Sequence, residues 1–216
     1  MRKIIFILAL AAVIYGFQKN QFGNLFNNNG AFNEDGTPKI ELYIHSTCGE
    51  PCKDAKSHLK YKKIEAEIFD VSKDKEALDK LRSYTNNSSL PALVVGNKVF
   101  HGFNAKSYNE HMYLAKGESV FGRMGKQVYR KHFNADGSPK VVMYAVSWCG
   151  YCKQATKKFK DLGIEHVEWN VEDNDKAKER YQYLEAGGYP LIYVGTIRIG
   201  AFNHTKINEA LDSFKT

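Results

Sequence analysis

The chain has 216 residues, enough for about two small domains, and 43% of them are hydrophobic, which excludes a disordered polypeptide. The formal net charge of +7 fits a solvated basic surface, or attraction to anionic lipid or an acidic partner. No zinc-finger spacing, RNA-binding aromatic motif or basic helical arm accompanies this charge, so we expect no nucleic-acid partner.

The N-terminus is typical of an export signal. Met1, Arg2 and Lys3 precede an uncharged, mostly apolar run at residues 4–17. This run is shorter than the about 20 residues of a membrane span, but no clean small-residue cleavage motif follows it. We therefore predict that residues 1–20 are either a signal peptide or a membrane anchor, with a linker at 21–31. Both alternatives place the rest of the chain outside the cytoplasm, in the periplasm if the source is bacterial, free or tethered to the inner membrane through residues 4–17.

The remainder of the chain is a duplication. Residues 31–48 (AFNEDGTPKIELYIHSTC) match residues 132–149 (HFNADGSPKVVMYAVSWC) position by position. The repeat predicts one domain at 32–115 and a second at 133–216. The connector at 116–132 has no clear periodicity and is predicted as a linker with room for a short helix.

Each repeat contains the same series of predicted elements. In the first, strands are predicted at 39–45, 64–71, 92–95 and 98–100, and helices at 51–62, 74–84 and 105–115. In the second, strands are predicted at 140–146, 164–171, 191–194 and 197–199, and helices at 151–162, 173–186 and 204–214. The apolar first strands suit a parallel pair joined by a helical crossover, and the short turns at 96–97 and 195–196 suit hairpins. The predicted fold class is therefore α/β, with a four-stranded mixed sheet flanked by helices in each domain.

A cysteine pair stands at the first strand–helix junction of the second repeat. Cys149 and Cys152 are separated by Gly150 and Tyr151. Free N–H groups and the positive end of the helix dipole would stabilise the first sulfur as a thiolate. We expect Cys149 to be the exposed nucleophile that attacks a substrate disulfide, and Cys152, tucked beneath it, to resolve the mixed disulfide.

The cysteine pairs, the prolines at 91 and 190, and the Phe-Asn region beyond them together resemble the glutaredoxin family. Both repeats look like tandem glutaredoxin-like domains with a thioredoxin fold. The resemblance implies a thiol–disulfide oxidoreductase with cis peptide bonds before Pro91 and Pro190, each proline facing its dithiol. The Gly-Tyr dipeptide resembles that of bacterial periplasmic disulfide isomerases, which favours a reductase or isomerase over a strong oxidant.

The same resemblance predicts the substrate groove. Trp148 and Pro190 would shape it, Tyr151 would line it, and the backbone of Tyr189 would pair with an extended substrate. Leu90 and Pro91 are the corresponding substrate-binding residues of the first repeat.

The residues with which glutaredoxins usually hold glutathione are missing. His45 and Val146 stand where the family has a lysine, and neither repeat has the usual acidic residue near its Phe-Asn pair. We therefore expect no cofactor, with glutathione as the less favoured alternative. The expected partners are protein thiols or disulfides and an unidentified redox donor.

The first repeat is harder to interpret because three residues separate Cys48 from Cys52. A working catalytic pair is our first prediction, since residues four apart on a helix are neighbours. A domain kept for packing or substrate binding is the second. The third is a Cu(I) site, completed by His45 or His101, in a metal- or client-binding module without turnover. A zinc site shared by all four cysteines is disfavoured because each pair belongs to its own repeat, and we predict no metal ligands.

Overall fold

The computed structural model describes residues 30–215. The predicted signal or anchor at 1–20, its apolar run at 4–17, and nearly all of the predicted linker at 21–31 lie outside these residues. Between residues 30 and 215, no helix is long and apolar enough to cross a membrane.

The two repeats fold into units with the same series of elements. The first unit contains β1 (Ile40–Ile44), α1 (Glu50–Tyr61), β2 (Glu67–Asp70), α2 (Lys75–Tyr84), β3 (Ala92–Val95), β4 (Lys98–His101) and α3 (Ala105–Lys116). The connector contains α4 (Arg123–Tyr129), between the 3-10 turns Gly117–Val120 and Arg130–His132. The second unit contains β5 (Val141–Ala145), α5 (Gly150–Asp161), β6 (Val167–Asn170), α6 (Asp175–Tyr183), β7 (Leu191–Val194), β8 (Ile197–Gly200) and α7 (His204–Asp212).

The sheets have the same topology, with strand orders β2-β1-β3-β4 and β6-β5-β7-β8. In each, the first two strands are parallel and the remaining pairs are antiparallel. Leu42, for example, lies opposite Ile68 on one side and Leu93 on the other. The predicted α/β fold with two four-stranded mixed sheets is confirmed.

The central strands β1, β3, β5 and β7 are buried along their whole length, which the apolar sequences of the first strands, β1 and β5, predicted. Glu41 is the one charged residue in these strands and is only 1% exposed. Its carboxylate accepts hydrogen bonds from Tyr43 Oη at 2.6 Å and from Lys80 Nζ at 2.7 Å. A buried charge is tolerated when it is paired and hydrogen-bonded in this way.

The recurrent Phe-Asn pair starts the last helix of each unit. The Asn104 side chain accepts from the backbone N–H groups of Lys106 and Ser107, and the Asn203 side chain accepts from that of Lys206. Asparagine is a favoured N-cap because its oxygen satisfies amides that have no partner within the helix. The recurrence of this asparagine in both repeats thus has a local structural reason.

The connector at 116–132 differs from an exposed linker. Its residues Val120, Phe121, Val128 and Tyr129 are buried in a hydrophobic core that extends through both units. The sequence showed no clear period because a short helix and two 3-10 turns share the segment. The two units are therefore packed through the connector, which fills the space between them.

Candidate active site

Cys149 is the N-cap of α5, and Cys152 lies in the first turn of that helix. The two residues form a disulfide with a Cα–Cα distance of 5.2 Å. The backbone N–H of Cys152 donates to Cys149 Sγ at 3.0 Å. A helix N-terminus carries N–H groups without intrahelical partners, so the sulfur at this position receives both a hydrogen bond and the favourable field of the helix dipole.

The structure corrects the prediction that Cys149 is exposed. Cys149 is 5% exposed and Cys152 is 1% exposed. The strand that precedes Cys149 is buried on both faces, which brings the start of α5 close to the interior. A reacting partner must therefore approach Cys149 through the cleft beside it.

This cleft has a volume of about 510 Å³. It is lined by Trp148, Cys149, Gly150, Tyr151, Tyr181, Ala186, Gly187, Gly188 and Tyr189. Trp148 and Tyr151 are 70% and 74% exposed, far more than most large apolar side chains. The Tyr189 ring meets Trp148 edge to face at 6.1 Å and stacks on Tyr181 at 4.7 Å. The cysteine pair therefore lies beside an aromatic cleft whose lining carries no charged side chain.

Both cis peptide bonds implied by the resemblance are present, at Leu90-Pro91 and Tyr189-Pro190. The backbone N–H and C=O of Tyr189 make no backbone hydrogen bond within the described part of the chain. Both groups are therefore unengaged at the wall of the cleft, where the sequence predicted a contact with substrate.

Glu172 is a site residue that the sequence reasoning missed. Its carboxylate accepts from Trp148 Nε1 at 2.9 Å, and from the hydroxyl and backbone N–H of Ser147 at 3.0 and 3.3 Å. The bonds from Trp148 and Ser147 hold the pKa of Glu172 below its usual range. Glu172 thus fixes the loop before Cys149 and places a negative charge beside the cleft. The sequence could have indicated this contact. Residues that follow parallel neighbouring strands, such as β5 and β6, meet at one edge of the sheet.

Tyr181 is a second site residue that the sequence analysis did not single out. In the structure its ring lines the cleft, and its hydroxyl donates to the Gly188 carbonyl oxygen at 3.1 Å. The sequence did not indicate this hydrogen bond, because it depends on how the loop at residues 186–189 folds back onto α6.

The cysteine pair of the first unit has a different relation to its helix. Cys48 and Cys52 form a disulfide with a Cα–Cα distance of 5.8 Å, so the longer spacing still permits a bond. The N-cap of α1 is Gly49, whose φ of 73° lies in the region that glycine tolerates best, and no side chain caps the helix. Cys48 therefore lies one residue before the N-cap, and the carboxylate of Glu50 occupies the first turn.

The histidines considered as copper ligands are engaged by neighbouring groups. His45 Nδ1 lies 3.2 Å from the Thr47 backbone nitrogen and 2.9 Å from its hydroxyl oxygen. His101 Nδ1 lies 2.7 Å from the Ser89 carbonyl oxygen, to which it donates. Within residues 30–215, no three His, Cys, Asp or Glu side chains are grouped so that they could hold a metal ion.

The two remaining candidate residues of the first unit are held within its fold. Pro91 is buried, directly before β3. Leu90 is partly buried and packs against a core cluster on the outer face of the first sheet. The corresponding aromatic cleft of the second unit is built from Tyr189 in the place of Leu90, which gives the two units different surfaces beside their cysteines.

Two four-stranded sheets, each with a disulfide-forming cysteine pair before its first helix and a cis-proline before its third strand, define the class of thiol–disulfide oxidoreductases with a thioredoxin-like fold. The glutaredoxin family model matches this sequence twice, over residues 40–100 and 141–199. The chain belongs to the glutaredoxin family, with two glutaredoxin domains in tandem.

Solved structures with similarity to the chain include two archaeal glutaredoxins. That of Archaeoglobus fulgidus is 27% identical, covers 38% of this chain and 97% of its own, and gives a TM-score of 0.33. That of Methanosarcina mazei Go1 is 22% identical, covers 37% of this chain and 95% of its own, and gives a TM-score of 0.30. The N-terminal domain of the alkylhydroperoxide reductase AhpF from Enterococcus faecalis is 19% identical, covers 81% of this chain and 91% of its own, and gives a TM-score of 0.31. No curated protein sequence matches the chain significantly.

Proposed function

We propose that this protein reduces or isomerises disulfides of other proteins outside the cytoplasm, with Cys149 as nucleophile and Cys152 as resolving residue. The observation that carries the proposal is the hydrogen bond from the Cys152 N–H to Cys149 Sγ, at the N-terminus of α5 and beside an open cleft. In the reduced protein the same amide favours the thiolate, which is the reactive form of cysteine.

The reaction balances in two exchange steps. The Cys149 thiolate attacks one sulfur of a substrate disulfide, forms a mixed disulfide and releases the other substrate sulfur as a thiolate. The Cys152 thiolate then attacks Cys149 Sγ and releases the second substrate thiolate. The substrate gains two electrons and the enzyme is left as the Cys149–Cys152 disulfide, which a dithiol donor must reduce. In isomerisation, a substrate thiol instead attacks the mixed disulfide and the enzyme dithiol is regenerated.

The cleft favours a protein substrate over glutathione. Glutathione carries two carboxylates and an ammonium group, but the residues that line the cleft offer no charged partner, and Glu172 adds a neighbouring anion. The exposed rings of Trp148 and Tyr151 instead suit apolar side chains, which gain free energy on burial. The unengaged backbone of Tyr189 suits an extended peptide. Protein thiols and disulfides are therefore the proposed partners, with no cofactor.

An extracytoplasmic location is supported by the composition of residues 1–20, a positive start followed by an apolar run. Disulfide exchange on exported proteins is also chemistry that oxidising compartments use. Fractionation of cells that express the full chain, with and without residues 1–20, tests this part. Retention in the cytoplasm in both cases would contradict it.

The first unit would contribute less to exchange. Cys48 has no capping hydrogen bond from α1, and the Glu50 carboxylate in the first turn opposes a second negative charge. We therefore expect reduced Cys48 to be alkylated more slowly than Cys149 near neutral pH.

The decisive experiment is insulin reduction by the purified protein with a dithiol donor. Cys149→Ser should abolish turnover, whereas the matched variant Cys48→Ser should reduce it only partly. Cys152→Ser should accumulate a mixed disulfide with substrate, because the resolving sulfur is missing. Unchanged turnover in Cys149→Ser would refute the assignment, and absence of turnover in the unmodified protein would favour a binding module.

A further inference from the structure

The loop after α6 forms one wall of the active-site cleft. Residues 186–189 all line it, and the loop includes the glycine pair Gly187-Gly188. A Cβ at either glycine would meet no atom within 4 Å, so close packing does not fix this stretch. Its position depends on the hydrogen bond from Tyr181 to the Gly188 carbonyl oxygen and on the contacts made at the two ends of the loop.

One of these ends is held by the other unit. Lys106, from α3 of the first unit, donates to the carbonyl oxygen of Tyr183, the last residue of α6. Its Nζ also pairs with Glu185 at 2.9 Å and lies 4.6 Å from the centroid of the Tyr183 ring. The Lys106 side chain is only 15% exposed, so water screens these contacts less than it screens a surface ion pair. A cation at a helix C-terminus is also favoured by the unpaired carbonyls there.

A second contact reaches the same place through a relay. Arg198 of β8 donates to the Leu184 carbonyl oxygen and, at 2.8 Å, to the Tyr193 hydroxyl. That hydroxyl donates to the buried carboxylate of Glu110 at 2.9 Å. Glu110 stands four residues after Lys106 on α3, so both side chains project from one face of the same helix. Helix α3 therefore supports two consecutive carbonyls at the start of the cleft loop.

The first unit holds the carbonyl before its cis-proline with a residue of its own. There, His101 donates to the Ser89 carbonyl oxygen at 2.7 Å, directly before the cis-proline. The repeat places Gly200 where the first unit has His101, and Thr205 where it has Lys106. The second unit instead uses Tyr181 of its own α6, which donates to the corresponding carbonyl oxygen, that of Gly188, at 3.1 Å. The start of its loop receives an additional contact, from Lys106 of the neighbouring unit.

We propose that Lys106 is a positioning residue for disulfide exchange at Cys149, and that the first unit serves as the support of the second unit's cleft. This inference rests on the proposed function for its catalytic consequence. Lys106 touches neither substrate nor sulfur. It acts by holding the loop that carries Tyr189 in the place where an extended substrate would bind.

The test compares two lysines that both bridge the units. Lys98 Nζ donates to the Glu209 carbonyl oxygen at 3.2 Å, but on α7, which contributes no residue to the cleft. In the full chain, Lys106→Met should raise the KM for insulin by about tenfold, the lower end of the scale for one lost charge-assisted hydrogen bond, while the alkylation rate of Cys149 stays unchanged. Lys98→Met should leave the KM unchanged, and Lys106→Arg should restore it.

A readout without turnover separates this inference from the proposed function. Amide hydrogen exchange at residues 185–189 should be faster in Lys106→Met than in the unmodified protein or in Lys98→Met. Glu185→Gln, at a side chain that is 71% exposed and so poses no risk to folding, should give a smaller change in the same direction. Equal exchange in all variants would overturn the positioning role even if insulin is reduced. Lack of insulin turnover would refute the proposed function, and faster exchange confined to Lys106→Met and Glu185→Gln would still support the loop anchor.

Discussion

Replacing Glu110 with alanine should destabilise the fold by roughly 3 kcal/mol, because two buried hydroxyl donors lose their acceptor. Glu110 is 2% exposed, and its Oε1 accepts from Tyr129 Oη at 2.5 Å and from Tyr193 Oη at 2.9 Å. An unsatisfied buried donor costs about 1–3 kcal/mol. The Tyr193 oxygen still accepts from Arg198 in the variant, so the Tyr193 hydroxyl loses only one of its two hydrogen bonds. The Arg198 side chain is partly exposed and can bind water in place of Glu110.

The duplication provides a matched control for this prediction. Glu209 is the residue of α7 that corresponds to Glu110, but its side chain is exposed. Glu209→Ala should therefore change the free energy of unfolding by less than about 0.5 kcal/mol. Urea unfolding followed by circular dichroism measures both variants. Equal unfolding midpoints would show that the hydroxyl network adds nothing to the joint between the units, and would refute the reasoning.

Two further predictions concern buried polar groups. Tyr108 is fully buried, and its hydroxyl has no hydrogen-bond partner among residues 30–215. Tyr108→Phe should therefore stabilise the protein by about 1 kcal/mol in urea unfolding, whereas Tyr129→Phe should destabilise it; a loss in both would show that Tyr108 has a partner. His132 is fully buried, and burial lowers its pKa to about 3. Since its unfolded pKa is about 6.5, the neutral form stabilises the fold above that pH, and this stability should be lost from about pH 6.5 down to 3, by at most about 1.4 kcal/mol per pH unit. His132→Gln should lose less over this range, and parallel pH profiles would contradict the assignment.

Most of the fold could be predicted from the sequence because its signals are local. The central strands, the glycine turns and the asparagine caps each depend on residues within a few positions of one another. The second strand of each unit was the main exception, with predicted spans of 64–71 and 164–171 against the observed Glu67–Asp70 and Val167–Asn170.

The excess length has a physical cause at the end of the preceding helix. Ile64 N–H donates to the Leu59 carbonyl oxygen, and Lys63 N–H donates to that of Lys60, with Lys63 at a φ of 55°. This is the Schellman arrangement, which places an apolar residue just beyond the helix C-terminus. The isoleucine that seemed to open the strand instead closes the helix. The second unit repeats the pattern with Gly163 and Ile164.

The candidate site was only partly accessible to sequence reasoning, for a related reason. The relation of Cys149 to its helix is local, so its spacing from Cys152 indicated it. Glu172 and Lys106 come from other parts of the chain and contact residues beside the cleft, and nothing in their neighbouring sequence indicates this role. Comparison of the two repeats does single out both charged residues, because their counterparts are uncharged. Ser72 corresponds to Glu172, and Thr205 corresponds to Lys106.

The differences between the two units form a consistent pattern. In the first unit, one additional residue between the cysteines moves Cys48 out of the N-cap position, which removes the amide contact that Cys149 keeps. In the second unit, Tyr181 replaces His101 as the residue that holds the carbonyl before the cis-proline, and Lys106 of α3 supports the start of the same loop. The second unit thus keeps the N-cap cysteine that the first unit lacks, and the loop beside its cleft is supported from α3 of the first unit. The two copies of a duplicated fold can differ in this way because substitutions beside the cysteines leave the central strands of each sheet unchanged. If the contacts between the units were removed, amide hydrogen exchange in the loop at residues 185–189 should therefore increase before the alkylation rate of Cys149 changes.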